Sequence, residues 1–199
     1  MEDDNGESIK VVLLGNTGTG KTTLLLQWTE NRVETKQRPT IGTAMKTYIF
    51  KNGNRQYTIQ AWDTAGQEEF RSLSPLYCRN CKSAMLVYDI TSKESFNSLP
   101  EWIDILSCQG INKFVVVGNK SDLAAQREIS FGDGLNFATS YSANFYETSA
   151  LQNKFVNEAF VNLSTLAIES MSAVAEHPNE ITQNDTEFHS YKGSTKCCC

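Results

Sequence analysis

Residues 15–22 read Gly15-Asn16-Thr17-Gly18-Thr19-Gly20-Lys21-Thr22, the pattern G-x-x-x-x-G-K-[ST]. A short β-branched run, Lys10–Leu14, precedes it, and a helical pattern, Lys21–Asn31, follows. That order of strand, glycine-rich turn and helix confines the chain to a small set of folds. Glycines let the backbone curl so that successive N–H groups converge on one anion, and the new helix adds its positive end. Lys21 supplies a charge for β- and γ-phosphates, and the Thr22 hydroxyl suits Mg²⁺. The four fixed positions recur by chance in roughly one chain in a hundred of this length. The alternative is a Gly-Thr turn ahead of a helix with a surface lysine. The loop implies a nucleoside triphosphate without naming its base.

Two further segments follow strand patterns. Asp63-Thr64-Ala65-Gly66-Gln67 comes after the run Gln56–Trp62. A carboxylate beside a phosphate loop is placed to hold Mg²⁺ through water. Gly66 brings its N–H close to a γ-phosphate because it has no Cβ, and Gln67 is suited to orient an attacking water. D-x-x-G alone is common, and its weight here comes from its position downstream of the loop. Asn119-Lys120-Ser121-Asp122 follows the run Phe114–Gly118. Guanine offers two donors on one edge, N1–H and N2, and the Asp122 carboxylate offers two acceptors at matching spacing. Adenine lacks that donor pair and leaves a desolvated charge unpaired. Lys120 is suited to cover a ring face with its stem, and Asn119 to tie its own loop to the phosphate loop. In Glu147-Thr148-Ser149-Ala150, backbone N–H groups of Ser149 and Ala150 are candidates for the guanine O6.

The remaining pattern completes an α/β domain. Lys46–Phe50 and Gln56–Ala61 flank Asn52-Gly53-Asn54, a hairpin signal. Ser83–Tyr88 and Phe114–Gly118 read as buried parallel strands, and Asn144–Thr148 as the last strand. Helices are expected around Ser72–Cys81, Glu94–Leu106, Phe131–Tyr141 and Lys154–Met171. Ser130, with Asp133 three residues on, forms a capping arrangement. Phe155, Val156, Ala159, Phe160, Leu163, Leu166 and Ala167 define a buried face on the last helix. The expected architecture is a mostly parallel six-stranded sheet with one antiparallel edge strand and helices on both faces, the P-loop nucleotide-hydrolase fold. Residues 1–8 are expected as a flexible start, 9–171 as the domain and 172–199 as a flexible tail.

Composition narrows the class. The 199 residues are 40% apolar and 21% charged, with a net charge of −5, which argues against nucleic acid as a partner. The acidic start, MEDDNGES, has neither the basic nor the apolar region of a secretory signal, so cytosolic synthesis is expected. Cys78 and Cys81 form one C-x-x-C without a second ligand pair, which favours two buried or helical thiols over zinc.

In this order, these residues resemble the Ras superfamily of small GTPases from about Lys10 to Ser170. Within it, Pro39-Thr40-Ile41-Gly42, Trp62 through Leu73 and Leu86-Val87-Tyr88-Asp89-Ile90-Thr91-Ser92 look most like the Rab branch. The resemblance implies a GDP/GTP timer using Mg²⁺, with Thr40 joining the metal shell only when the γ-phosphate is present. It implies effectors recruited through Val33–Lys46 and Asp63–Cys78, an exchange factor, an activating protein and a prenyl-binding chaperone. Some positions depart from the family pattern. Val33 replaces an aromatic residue against the base, Gln37 a tyrosine over the phosphates, and Met45 a phenylalanine of an aromatic cluster that keeps Trp62 and Tyr77. Thr17 brings a β-branched side chain near the γ-phosphate and implies slower hydrolysis, and Leu151 replaces a lysine. Cys197, Cys198 and Cys199 resemble Rab geranylgeranylation sites, with Cys198 and Cys199 preferred and Cys197 a third candidate. Two lipids suit a tail with little positive charge, because one chain anchors only marginally. The implied location is the cytoplasmic face of an intracellular membrane, with a cytosolic pool. The implied activity is slow GTP hydrolysis in the control of vesicle-mediated traffic. The competing readings are a nucleotide-bound membrane scaffold with little turnover and a P-loop ATPase or nucleotide kinase, the latter disfavoured by Asp122.

Overall fold

The computed structural model describes residues 7–33, 43–64 and 74–175. The strands are β1 (Ser8–Leu14), β2 (Thr43–Asn52), β3 (Arg55–Thr64), β4 (Ser83–Asp89), β5 (Phe114–Asn119) and β6 (Asn144–Glu147). The helices are α1 (Lys21–Glu30), α2 (Ser74–Cys78), α3 (Lys93–Asn97), α4 (Leu99–Cys108), α5 (Phe131–Ser140) and α6 (Val156–Ala175). A 3₁₀ turn covers Ser121–Gln126. One six-stranded sheet runs β2-β3-β1-β4-β5-β6. Only the β2–β3 pair is antiparallel, as the hairpin signal predicts. Asn52 pairs with Arg55, so the connection is the two residues Gly53 and Asn54, and Gly53 supplies a φ of 59°.

The central strands are apolar throughout because both of their faces are covered. Val11, Leu13, Met85, Val87, Val115 and Val117 point to one core, against α1 and α6. Val12, Leu14, Leu86, Tyr88 and Val116 point to the other, beneath α4 and α5. Alternation of side chains across the pleat sorts the residues in this way. Chain order departs from spatial order on both sides of β1. The carboxyl ends of β1, β4 and β5 therefore open onto one crevice, the usual ligand position in an open α/β sheet.

Several elements differ from the expected ones for local reasons. The helix expected over Glu94–Leu106 is two helices. Pro100 lacks an N–H and sits in the first turn of α4, while Ser92 caps α3 by accepting the Ser95 N–H. The helix expected over Ser72–Cys81 is confined, among the described residues, to Ser74–Cys78, and Asn80 has a φ of 63°. Cys78 and Cys81 are both buried, and burial pushes their thiols up to about 11 and about 12. α6 starts after Phe155, which is held at φ 51° and is 48% exposed, so Phe155 is not part of the buried face. Val156, Ala159, Phe160, Leu163 and Ala167 are buried as expected. α6 continues to Ala175, four residues beyond Met171, where the apolar periodicity stops. The Ser130 capping box is present in both of its hydrogen bonds. No helix among the described residues is long and apolar enough to cross a membrane.

Candidate functional site

The loop between β1 and α1 depends on two glycines. Gly15 has a φ of 139°, and a Cβ there would lie 2.0 Å from the Val87 carbonyl oxygen of β4. Gly20 has a φ of 92°, and a Cβ there would lie 2.4 Å from Asn119 Nδ2. Any side chain at either position would push the loop off the strands beneath it. The α1 N-terminus has no side-chain cap. The N–H groups of Gly18, Thr19, Gly20 and Lys21 donate to no acceptor among the described residues. Four uncommitted donors around a helix start suit an anion.

Lys21 is buried at this helix start. Its ammonium donates to the carbonyls of Gly15 at 2.7 Å and Asn16 at 2.9 Å. Burial pushes its pKa down to about 8, against the opposing pull of Asp63. A phosphate beside it would supply the missing negative charge and favour the protonated form.

Asp63 lies one strand away. Both Asp63 and Thr64 belong to β3: Asp63 pairs with β1 and β2, and Thr64 with β2 alone. Asp63 Oδ2 accepts the Thr22 hydroxyl at 2.5 Å, while Oδ1 is buried without a partner among the described residues. Burial raises the Asp63 pKa. An orphaned carboxylate oxygen next to a hydroxyl, inside an anion site, fits a hard divalent cation, and Mg²⁺ prefers this kind of oxygen donor. Thr64 has a different task, since its hydroxyl donates to the Leu13 carbonyl at 2.7 Å and ties β3 to β1. Thr40, Ala65, Gly66 and Gln67 lie outside the described residues, as do Cys197, Cys198 and Cys199.

At the other end of the crevice, Asn119 joins three segments. Its amide donates to the Thr19 carbonyl at 2.9 Å, and its oxygen accepts the Thr148 hydroxyl at 3.1 Å. Asp122 sits on the 3₁₀ turn, where its Oδ1 accepts the Ser149 hydroxyl at 2.5 Å. Ser149 thus acts through its side chain, because its N–H is given to the Lys154 carbonyl at 3.1 Å. That leaves the Ala150 N–H uncommitted among the described residues. Glu147 is turned to a bidentate pair with Arg127. A pocket of about 150 Å³ is lined by Gly20, Thr23, Asn119, Lys120, Asp122, Ala150 and Leu151. The structure therefore brings the loop, Asp63 and the Asn119–Asp122 segment to one crevice, with a small pocket beside Asp122.

Two features of the site were not anticipated. The Asn16 side chain does not face the cradle. Its Oδ1 accepts from Ser98 Oγ at 2.7 Å and from the Trp102 indole at 3.1 Å, so α4 braces the loop from behind. A fully buried tryptophan must place its N–H somewhere, but nothing in the order of residues pairs position 102 with position 16. The second feature is Asp89, whose carboxylate meets the Lys120 ammonium at 2.6 Å.

Comparison with known proteins agrees with this geometry. Residues 10–169 match the model of the Ras family. The chain is 43% identical to Ras-related protein Rab-4A from Homo sapiens over 155 residues, covering 76% of this chain and 71% of that one. It is 39% identical to Ras-related protein Rab-21 from Bos taurus over 165 residues, covering 82% of this chain and 74% of that one. Rab-4A from Danio rerio is 43% identical over 155 residues. The glycine turn, the buried lysine and the guanine-type loop thus sit in one crevice of a sheet whose sequence matches this family from β1 through most of α6, and the chain belongs to the Ras superfamily of GTP-hydrolysing proteins as a Rab-like member.

Proposed function

We propose that this protein is a lipid-anchored GDP/GTP switch that hydrolyses GTP slowly and controls vesicle-mediated membrane traffic. The observation that carries the reading is the conjunction in one crevice of four uncommitted N–H groups, a buried ammonium and an orphaned Asp63 oxygen beside Thr22. Each compensates a different part of a magnesium–nucleotide complex. Gly15 through Lys21 cradle the phosphates. Thr22 and Asp63 would hold Mg²⁺, with Thr40 added in the GTP form, and the ion would supply positive charge against the phosphate oxygens. Asp122, aimed by Ser149, reads the guanine donors, and the Ala150 N–H lies on the same pocket wall.

Gln67 orients the attacking water, and Gly66 reports the γ-phosphate through its N–H. Phosphoryl transfer needs positioning and charge stabilisation more than covalent chemistry. A chain that positions water with a single glutamine turns over slowly until a partner adds a cation. Rab-like membership brings effectors, an exchange factor and an activating protein as partners. Single-turnover hydrolysis tests the reading. Preloaded GTP should convert to GDP over minutes to hours with Mg²⁺, and Gln67→Leu should slow the conversion at least tenfold. A native protein that holds GTP unchanged overnight is instead a nucleotide-bound scaffold.

The membrane half of the proposal rests on Cys198 and Cys199, with Cys197 in reserve, as prenyl acceptors handled by a prenyl-binding chaperone. One lipid chain of modest length binds membranes reversibly, on the order of 10⁴ M⁻¹, and each buried CH₂ adds about 0.8 kcal/mol. Between residues 176 and 199, Lys192 and Lys196 are outnumbered by Glu176, Glu180, Asp185 and Glu187, so the segment has no polybasic substitute for a second chain. Replacing Cys198 and Cys199 together with Ser should move the protein to the soluble fraction with unchanged GDP affinity. Retention on membranes by the double variant would refute this half alone.

A further inference from the structure

Lys120 follows the last residue of β5 and leads into the 3₁₀ turn at a φ of 68°, so the chain turns sharply there. Its ammonium stops 2.6 Å from Asp89 Oδ2, at the end of the neighbouring strand β4. The Asp89 carboxylate is itself locked. Its Oδ1 accepts the Thr91 N–H at 2.8 Å and the Thr91 hydroxyl at 2.7 Å. The Asp89 N–H donates to Ser95 Oγ, and Ile90 N–H donates to the Asn119 carbonyl. The anion therefore has a fixed place and a fixed orientation before any ligand arrives. Lys120 also lines the pocket beside Asp122.

Two carboxylates are in competition for this cation. Asp122 lies two residues beyond Lys120 and needs both oxygens for the base, one of them shared with Ser149. An unanchored Lys120 would be free to fold back onto Asp122 and occupy the acceptors that read guanine. We infer that Asp89 is a positioning residue for the nucleotide: it draws the Lys120 ammonium to the far side of the pocket, keeps the lysine stem as a preset wall for the ring, and leaves Asp122 open. This rests on the reading of the pocket as the base site. The contribution is preorganisation, because the ordering of a long, rotamer-rich side chain is completed before binding.

The test is a double-mutant cycle on GDP dissociation, using Asp89→Asn and Lys120→Met in the full chain. Asparagine keeps the shape and the acceptor for Thr91 but loses the charge that holds the ammonium. Asp89→Asn alone should release GDP about tenfold faster, with the far-UV circular dichroism of the GDP-bound protein unchanged. In the Lys120→Met background the same substitution should have no further effect, since there is no ammonium left to position. An equal acceleration in both backgrounds, or none in the native one, overturns the assignment. If Lys120→Met itself leaves GDP dissociation unchanged, the base-site reading fails as well. If Lys120→Met accelerates release and Asp89→Asn does not, only the positioning role fails.

Discussion

Asp122→Asn should exchange guanine for xanthine nucleotides. In the proposed base site the native carboxylate would present two acceptors to N1–H and the N2 amino group, and one of its oxygens is held by the Ser149 hydroxyl at 2.5 Å. Asparagine retains an oxygen for Ser149 and places an NH₂ where the second acceptor was. That NH₂ now faces the guanine amino group, donor against donor. Xanthine carries a carbonyl at that position and accepts from it. Sites built on polar pairing reject the wrong partner by about four or five orders of magnitude, because desolvated groups are left unpaired. GTP affinity should fall by at least about three orders of magnitude, and xanthosine triphosphate should bind far better than to the native protein. Competition of the two nucleotides against a fluorescent GDP reads both effects. Unchanged GTP affinity would remove Asp122 from the base site.

Lys21→Met should be the most damaging single change for the phosphates. Methionine has nearly the length of lysine but no charge, so the loop keeps its filling and loses its cation. The native ammonium is buried and donates to two carbonyls of the loop. Removing it turns the Gly15 and Asn16 oxygens towards the incoming phosphates without a donor between them. Truncating one partner of a buried charge pair costs about 2–5 kcal/mol or more, much of it from stranding the other charge. The expected loss is two to three orders of magnitude in affinity for GDP and GTP alike, since both carry the β-phosphate. Titration with labelled GDP, with circular dichroism to verify folding, measures it. A loss below tenfold would mean that the N–H cradle alone holds the phosphates.

These two predictions rest on positions that were legible in the order of residues, for a physical reason. A phosphate loop is a local object. Gly15, Gly18 and Gly20 all need positive φ, and the strand before them and the helix after them are contiguous in the chain. Asp63 lies one residue before the end of β3 and Asn119 ends β5, and an open parallel sheet brings the carboxyl ends of its strands to one edge. The Ser130–Asp133 box closes over three residues and was equally visible. The last helix showed its buried face from Val156 onward because its period is local too.

The sequence by itself thus determined the sheet, the loop and the family, since each is written in residues a few positions apart or in strand-end order. The tertiary structure alone decided how those parts are braced. Asn16 takes its donors from Ser98 and Trp102, far along the chain, because two buried donors need an acceptor and the packing of α4 against β4 puts this one in reach. Lys120 turns to Asp89 because adjacent strands set their ends side by side. Ser149 gives its hydroxyl to Asp122 and its N–H to Lys154, two partners that only the fold brings to it. Phe155 falls out of the buried face because the turn before α6 forces it into left-handed backbone, which the helical period does not foresee. Periodicity and motif spacing encode what neighbours in the chain can do, and buried polar partners are chosen by whatever the fold brings within hydrogen-bond distance.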